Sequence, residues 1–376
     1  MKLPFWRTKS AAQPARIPSW ATPWSAGEAP RSYEAQVRAS YLANPIAARA
    51  IRLVSEGAGG APLVSNPAGH PALALLASMG FGASGPGLLE TVAAQLLLHG
   101  NAYVEAACGP DGLPAALFAL RPERVTVEAD SRGWPTGYLY RAGDMVTRYP
   151  AETVGDRAGL LHIRGFHPLD DHYGAGCLGA AAGAVEVHNA AAKWNRALLD
   201  NAARPSGALV YQPGDGSVLS ADQFERLKGE MEAGFAGAAN AGRPMLLEGG
   251  LSWQAMSLTP AEMDFGRARD TAAREIALAF GVPPLLLGLP GDATYSNYRE
   301  ANVALWRLTL LPLTGRILAA LSAHLQNWWP GLEVRVDRDA VPALSEDRER
   351  LWAQVSGAAF LSDMEKRAML GLEAGR

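Results

Sequence analysis

The segment that most constrains the fold of this chain is residues 259–325, where two long helical patterns are separated by a proline-containing break. In the first pattern, apolar residues recur at spacings of three and four from Phe265 to Phe280, which predicts a helix with one apolar face. Gly281 suits the left-handed residue that follows a helix, and Pro283 prevents the helix from continuing. The chain is therefore expected to break here before a second helix.

That second helix is predicted to begin at Asn297, with Glu300 three residues later completing a partial capping box. Its apolar stripe continues at helical spacing to Leu325. Pro312 lies inside the stripe and has no N–H to donate, so a kink or a break is expected there. On pattern alone, the apolar connection also fits an ordinary buried helix-loop-helix.

Composition restricts the class of protein. At 376 residues the chain is long enough for two or three lobes, and its formal net charge of −3 argues against a strongly basic nucleic-acid-binding domain. Two cysteines, Cys108 and Cys177, can build neither a disulfide framework nor a four-cysteine zinc site. Since no continuous apolar run reaches about 18 residues, no membrane-spanning helix is expected, and the protein is expected to start in the cytoplasm.

The first 32 residues differ from the rest of the chain. They are rich in Pro, Ser and Ala and carry Trp6, Trp20 and Trp24. This composition predicts an arm that is poorly ordered alone. We hypothesise that its tryptophans dock on a neighbouring subunit.

After the arm, helical patterns and short strands follow one another, which predicts a mixed α+β lobe. Asp111-Gly112 is a hairpin signal. The predicted helices of this lobe are 32–56 with a break at Asn44-Pro45, His70–Met79 and Gly87–His99. The predicted strands are Ala102–Ala106, Ala116–Leu120, Val125–Glu128, Gly137–Tyr140 and Leu160–Ile163.

An alanine-rich helix is predicted from Leu178 to Ala202, with Val187, Ala191, Trp194 and Leu198 on one face. Small residues on its other sides allow neighbouring helices to approach closely. A compact insert follows over residues 204–258. Its predicted elements are a strand at Gly207–Tyr211, a helix from Ser220 to Gly234 and a hairpin of Pro244–Glu248 with Trp253–Ser257.

Taken together, these segments resemble the portal proteins of long-tailed phages, from Tyr41 to the C-terminus. The resemblance is carried by the order of several motifs rather than by one of them. These are Glu275-Ile276-Ala277, Phe280-Gly281-Val282-Pro283-Pro284, Leu287-Gly288, Tyr295-Ser296-Asn297, LLLHGNAYVE (Leu96–Glu105), LFALRPERVTV (Leu117–Val127) and LLHIRGFHPLDDHYGAGCLGAA (Leu160–Ala181).

The resemblance implies an α+β portal fold with an α/β wing, long stem helices, a small α/β clip and a short helical crown. The implied boundaries are an arm at 1–32, wing at 33–176 and 298–344, stem helices at 177–203 and 259–281, clip at 204–258, tunnel loop at 282–297 and crown at 345–376.

It also implies a function without catalysis or cofactor. Portals form a homododecameric ring at one capsid vertex, within a shell of major capsid protein, and double-stranded DNA of any sequence passes along the ring axis. The terminase large subunit docks on the clip and supplies ATP hydrolysis, and a head-tail adaptor later takes the same face. The protein would be assembled in the host cytoplasm and end in the virion, without a membrane partner. The short crown suits a small particle, either a gene transfer agent or a compact phage.

Three sets of residues are expected to carry this function. The DNA tunnel loop is expected to use Pro284, Leu285, Leu286, Leu287, Asp292, Thr294, Tyr295 and Asn297. The stem and subunit interface is expected to use Val187, Trp194, Arg267, Asp270, Arg274 and Ile276. The docking surface of the clip is expected to use Gln223, Arg226, Lys228 and Glu230. Acidic stem positions would let DNA slide, and arginines would pair across subunits.

A rival hypothesis is a metal-dependent hydrolase that uses His162, His167 and Asp171. Imidazole and carboxylate groups so close in sequence are typical metal ligands. Their spacing follows no ligand rule, however, and the segment fits a turn after a strand. Turn capping and polar contacts are therefore the favoured roles for these residues.

Overall fold

A computed structural model describes residues 32–77, 85–151, 159–200, 207–212, 220–235, 251–255, 265–290 and 294–371. These residues form a mixture of helices and strands, which confirms the α+β fold class. Of the predicted features, residues 1–31 of the arm, Asp292 and the strand Pro244–Glu248 lie outside these ranges. The chain divides into two compact units, with boundaries at Ala182/Gly183 and Glu275/Ile276.

The first unit, formed by the two ends of the chain, contains most of the regular structure. Its helices are α1 (Tyr33–Val37), α2 (Pro45–Gly59), α3 (Ala72–Ala77) and α4 (Leu88–Leu98) before the second unit, and α8 (Tyr295–Leu305), α9 (Leu311–Leu325), α10 (Ser345–Gly357) and α11 (Asp363–Leu370) after it. Its strands are β1 (Leu63–Asn66), β2 (Asn101–Cys108), β3 (Pro114–Leu120), β4 (Val125–Ala129), β5 (Pro135–Ala142), β6 (Met145–Pro150), β7 (Leu160–Arg164) and β10 (Glu333–Val336).

Three antiparallel sheets arise from these strands, in the orders β3-β2-β7, β4-β5-β6 and β1-β10. The hairpin predicted at Asp111-Gly112 joins β2 to β3. Strands β1 and β6 were not predicted. All four residues of β1 are at least partly accessible to solvent, and β6 is exposed almost throughout, so neither shows the alternation of a half-buried strand.

The core of this unit lies where α4 and α9 pack against the β3-β2-β7 sheet, with α2 covering α4. Leu321 and Leu325 of α9 are fully buried in it. Tyr103 of β2 is also fully buried, in a cluster with Leu120, Val125 and Leu160. The predicted break at Asn44-Pro45 is confirmed, because the Asn44 side chain accepts hydrogen bonds from the first backbone N–H groups of α2.

The helix after the break at Gly281 runs from Tyr295 to Leu325, and its predicted start is wrong. It begins two residues before Asn297, because Thr294 rather than Asn297 provides the cap. Near Pro312, where a kink or a break was predicted, the chain stays helical but changes its helical geometry. A π-helical turn at Trp306–Leu310 precedes α9, which places Pro312 in the first turn of α9, where a missing N–H is tolerated.

In the described part of the chain, this one stretch, Tyr295–Leu325, is long and apolar enough to cross a membrane by length and composition. Arg307 and Arg316 interrupt it, and 50% of its most apolar window is buried inside the protein. Burial of that kind is the pattern of a core helix.

The second unit begins within α5 (Leu178–Asp200) and ends within α7 (Phe265–Ala279). Between them lie β8 (Gly207–Tyr211), α6 (Ala221–Phe235) and β9 (Leu251–Ala255). Strand β9 pairs with β8 in antiparallel register, Leu209 opposite Trp253. The strand and helix predictions for this insert are confirmed to within a few residues, apart from the strand outside the described ranges.

Candidate functional site

Gly281 and Val282 form the end of α7 by backbone geometry. Gly281 has a positive φ of 65°, and the Val282 N–H donates to the carbonyl of Ala277 at 2.9 Å, which closes the helix in a Schellman-type turn. The Thr309 hydroxyl donates to the Gly281 carbonyl at 2.6 Å. A Cβ at Gly281 would lie 2.8 Å from that hydroxyl oxygen, so the turn is fixed against the helix that follows.

The apolar residues after this turn are not an extended loop. Pro284–Leu287 form a 3₁₀ turn that ends at Gly288, whose φ is 71°. Pro284, Leu285, Leu286 and Leu287 are half-buried, and the turn packs against α8 and α2. These four predicted tunnel residues are therefore partly accessible and partly packed against helices of the first unit.

Beyond residue 290, the described part of the predicted tunnel loop resumes at Thr294 and is polar and exposed. The Thr294 hydroxyl accepts the Asn297 N–H at 3.2 Å and fixes the first turn of α8. Tyr295 projects from this turn with 85% of its side chain exposed, and Asn297 and Tyr298 are also exposed. Tyr298, one helical turn after the Thr294 cap, was not among the predicted tunnel residues.

Two arginines near this tip are neutralised within the chain. Arg299 of α8 binds both carboxylate oxygens of Glu346, at 2.8 and 3.0 Å, and Arg307 binds Asp347 at 2.6 Å. Glu346 and Asp347 lie in the first turn of α10, where the helix dipole favours negative charge. Positive charge that could hold a phosphate tightly is thereby reduced beside the exposed tip.

Helix α5 has a buried face and an exposed apolar face. Ala184, Val185, His188 and Ala191 are buried, whereas Val187 and Trp194 are exposed, Trp194 to 42%. The two exposed side chains are a pair predicted for the subunit interface. They lie seven residues apart, so they share one face of the helix.

The interface residues predicted on α7 also include both exposed and buried side chains. Arg267, Asp270 and Arg274 are exposed. Ile276, in contrast, has 0% exposure within its own chain, so its side chain is not at the surface of the single chain. Its spacing from Phe280 placed it on the apolar face, and that face is buried inside the chain.

His188 and Arg269 link α5 to α7 inside the second unit. The Arg269 Nε donates to His188 Nε2 at 3.4 Å. Burial, with a smaller contribution from this guanidinium, lowers the pKa of His188 below its ordinary value. A neutral His188 can accept this hydrogen bond, which a charged one cannot.

On α6, the predicted docking residues lie on a solvent-facing helix. Gln223 and Ser220 cap the start of α6. The Gln223 N–H donates to Ser220 Oγ at 3.3 Å, and the Gln223 side chain accepts the Ser220 N–H at 2.9 Å. Arg226 and Lys228 are exposed, and Glu230 is helical, its side chain lying outside the described residues. Phe224, also exposed, is an apolar surface residue that the sequence reading missed.

Two motifs that lie far apart in the sequence, Leu96–Glu105 and Leu160–Ala181, meet at the buried side-chain amide of Asn101. Its Oδ1 accepts the Gly174 N–H at 2.7 Å and lies 3.0 Å from His162 Nε2. Its Nδ2 donates to the Gly174 carbonyl at 3.2 Å and lies 3.1 Å from His99 Nδ1. Burial lowers the pKa of His162 to about 3 and that of His99 to about 4, so both imidazoles are neutral.

Glycines allow the chain segments to meet at this point. A Cβ at Gly174 would collide with the Gly100 carbonyl, and one at Gly176 would lie 2.6 Å from the Leu98 carbonyl. Gly165 donates its N–H to the Gly100 carbonyl at 2.7 Å. The glycine-rich turn that the sequence singled out is therefore a backbone crossing.

The geometry does not support the metal-site hypothesis. His162 is stacked on Tyr103 with ring centroids 4.3 Å apart and faces Asn101, while His167 Nδ1 accepts the Leu169 N–H at 3.0 Å. Asp170 caps the turn by accepting the N–H groups of His172 and Tyr173. The described residues contain no group of three or more His, Cys, Asp or Glu that could hold a metal.

Comparison with known proteins gives consistent matches along the chain. The family model for "Phage portal protein" matches residues 45–371. A protein of Rickettsia felis described as uncharacterized is 40% identical over 348 residues, covering 89% of this chain and 88% of its own length.

Two solved structures extend these matches. A chain from the "Neck of native GTA particle computed with C12 symmetry" is 45% identical, covers 97% of both chains and has a TM-score of 0.71. An HK97 family phage portal protein from Corynebacterium diphtheriae has a TM-score of 0.58, with 84% of this chain and 100% of its own covered. At 18% identity, the second match shows a shared fold alone.

Proposed function

Because this chain belongs to the phage portal protein family, we propose that twelve copies form a ring at one vertex of a particle and that double-stranded DNA passes along its axis. The observation that carries this proposal is the 45% identity, over 97% of both chains, to a protein from a neck with twelvefold symmetry. A relative that similar over its full length has the same surfaces available for assembly. The protein would act as a channel and would itself catalyse no reaction.

Helix α5 supports the ring. Val187 and Trp194 place two large apolar side chains on one exposed helix face, and burial against a neighbouring copy would remove them from water. Exposed charges on α7, at Arg267, Asp270 and Arg274, would then pair between copies. We assign these two helices to the stem.

The tip at the start of α8 supports a passage for DNA of any sequence. Thr294, Tyr295 and Asn297 offer neutral hydrogen-bonding groups, which contact a phosphate without the release of counterions. The nearby arginines Arg299 and Arg307 already bind carboxylates. Such a ring of neutral groups would touch the duplex and let it slide.

The second unit supports a docking role as the clip. Phe224 and Lys228 are exposed one helical turn apart on α6, and Arg226 is exposed on another side of the same helix. An apolar side chain beside a cation suits a partner surface with an apolar recess and an acidic rim. We propose that the terminase large subunit binds here during packaging and that a head-tail adaptor binds the same surface afterwards.

The particle is proposed to be a gene transfer agent. The near-complete match at 45% identity is to a particle of this kind, whereas the phage portal of known structure is matched at 18% identity. The vertex would lie within a shell of major capsid protein, in a virion assembled in the host cytoplasm.

Light scattering of the purified protein tests the ring. Twelve copies of 39.7 kDa give a mass of about 476 kDa. We expect Trp194→Asp to reduce that mass, because a carboxylate would be buried in an apolar contact. Trp134→Asp is the matched control, since Trp134 is an exposed tryptophan on a hairpin turn distant in sequence.

Two results would count against this proposal. A wild-type chain that stays at 39.7 kDa at high concentration, with or without DNA, would refute assembly into a ring. A Trp194→Asp ring of unchanged mass would refute the role of α5 and leave the ring itself intact.

A further inference from the structure

The loop from Gly165 to Tyr173 presents two large apolar side chains to solvent. Phe166 is 83% exposed and Leu169 is 92% exposed, with the exposed Pro168 between them. Single exposed apolar residues are common, but two in one short loop form a patch. These residues are the part of the glycine-rich motif that the Asn101 crossing does not use.

This loop is held in place by its own hydrogen bonds. The Asp170 carboxylate accepts the N–H groups of His172 at 2.7 Å and Tyr173 at 2.8 Å. At its other end, the Gly165 N–H donates to the Gly100 carbonyl at 2.7 Å. Since both ends are fixed, the loop cannot readily turn its apolar residues inward, which favours a surface that binds another segment.

The first described residues, Ser32 and Tyr33, are linked to this loop by a short series of contacts. Ser32 caps α1, and the ring of Tyr33 packs edge-on against His99 with centroids 4.8 Å apart. His99 in turn contacts Asn101, whose amide binds Gly174 at the end of the loop. Residues 1–31 therefore join the described chain within a few contacts of the patch.

Charge and composition of the arm complement the loop. Residues 1–31 contain five basic residues and one acidic residue, and the arm carries Trp20 and Trp24. The loop carries Asp170 and Asp171, and the Asp171 side chain is exposed. Trp24 is eight residues before Ser32, a reach of about 28 Å when extended.

We propose that the arm, residues 1–31, docks on the loop Gly165–Tyr173 of the same chain. A tryptophan of the arm covers Phe166, Pro168 and Leu169, and a basic residue binds Asp171. The short connection favours the arm of the same chain, because it keeps the tryptophans at a high local concentration. This docking is independent of the ring and could occur in a single chain.

Photo-crosslinking of the full-length chain tests the docking. Benzoylphenylalanine is placed at Phe166, the protein is irradiated and the crosslinked peptides are identified by mass spectrometry. We expect the crosslinked partner to be a peptide from residues 1–31 of the same chain, so the product migrates as a single chain. The same probe at Trp134, exposed on the β4–β5 turn, is the control and should not select the arm.

A crosslink from Phe166 to any other segment, or to a second chain, would overturn the proposal, as would equal capture of the arm from Trp134. A second measurement uses Leu169→Cys in a Cys108→Ser background. Deleting residues 2–31 should raise the rate of its reaction with a maleimide several-fold without changing the unfolding midpoint. An unchanged rate would also overturn the proposal.

Discussion

Replacing Asn101 by alanine removes the amide that holds two distant segments of the chain together. Asn101 is 1% exposed and follows α4, whereas its partner Gly174 lies 73 residues later. The substitution leaves the Gly174 N–H and the His162 Nε2–H without the oxygen that they now bind, at 2.7 and 3.0 Å. Neither group can reach water easily in this buried position.

The magnitude follows from the number of groups left unpaired. A buried polar group without a partner costs about 1–3 kcal/mol, so two such groups and the small cavity cost about 3–5 kcal/mol. Asn44→Ala is a matched control, because Asn44 is also 1% exposed and its side chain also accepts two backbone N–H groups. Asn44→Ala removes a helix cap, which should lower the free energy of unfolding by about 1 kcal/mol.

Thermal unfolding at equal protein concentration measures both changes. We expect Asn101→Ala to lower the midpoint by roughly 5–10 °C and Asn44→Ala by roughly 2 °C. Equal concentrations are needed because assembly also stabilises the chain. If Asn101→Ala lowered the midpoint no more than Asn44→Ala does, the argument that the Asn101 amide stabilises the crossing would be refuted.

Three further perturbations test the same region and the tip of α8. Acid should destabilise the fold, because the unfolded histidines take up protons near pH 6.5, whereas burial holds the pKa of His162 at about 3 and that of His99 at about 4. Between pH 6 and pH 4 each of the two histidines should lower the free energy of unfolding by about 1.4 kcal/mol per pH unit. In the His162→Gln variant, the thermal unfolding midpoint should therefore depend less steeply on pH. A wild-type midpoint that does not change with pH would contradict this. Gly174→Ala should prevent the crossing from closing, since its Cβ meets a carbonyl, and little soluble protein is expected; normal yield and midpoint would contradict the crossing. Arg299→Ala should cost under about 1 kcal/mol, and the double variant with Glu346→Ala should cost no more, because the pair is exposed; a larger coupling in unfolding midpoints would contradict the surface assignment.

Local signals predicted most of the elements. Asn44-Pro45 marked a helix start because a capping side chain and a proline act within one turn. The structure shows the same kind of local signal at α11, where Ser362 and Glu365 form a full capping box. Thr294 was missed because Asn297 offered a second plausible cap three residues later, and a pattern cannot decide between two suitable caps.

The parts that could not be predicted depend on residues far apart in sequence. Strand β1 pairs with β10, so Leu63 meets Val336, and neither strand carries a sign of that partner. The Asn101 crossing joins two motifs whose glycines make sense only when both backbones are present. For the candidate site, periodicity gave the apolar face of α7, but it could not distinguish a face buried within the chain, where Ile276 lies, from one buried between chains.

The helix that contains the π-helical turn before Pro312 links two different environments. Tyr295–Leu325 is continuously helical, and 31 residues at 1.5 Å each give a contour length of about 46 Å. One end carries the exposed Tyr295, and the other is fixed by Leu321 and Leu325, which have 0% exposure. The exposed tip is therefore joined to buried residues of the core by one continuous helical element, so a substitution that disrupts Leu321 or Leu325 is expected to be felt by the position of Tyr295 as well.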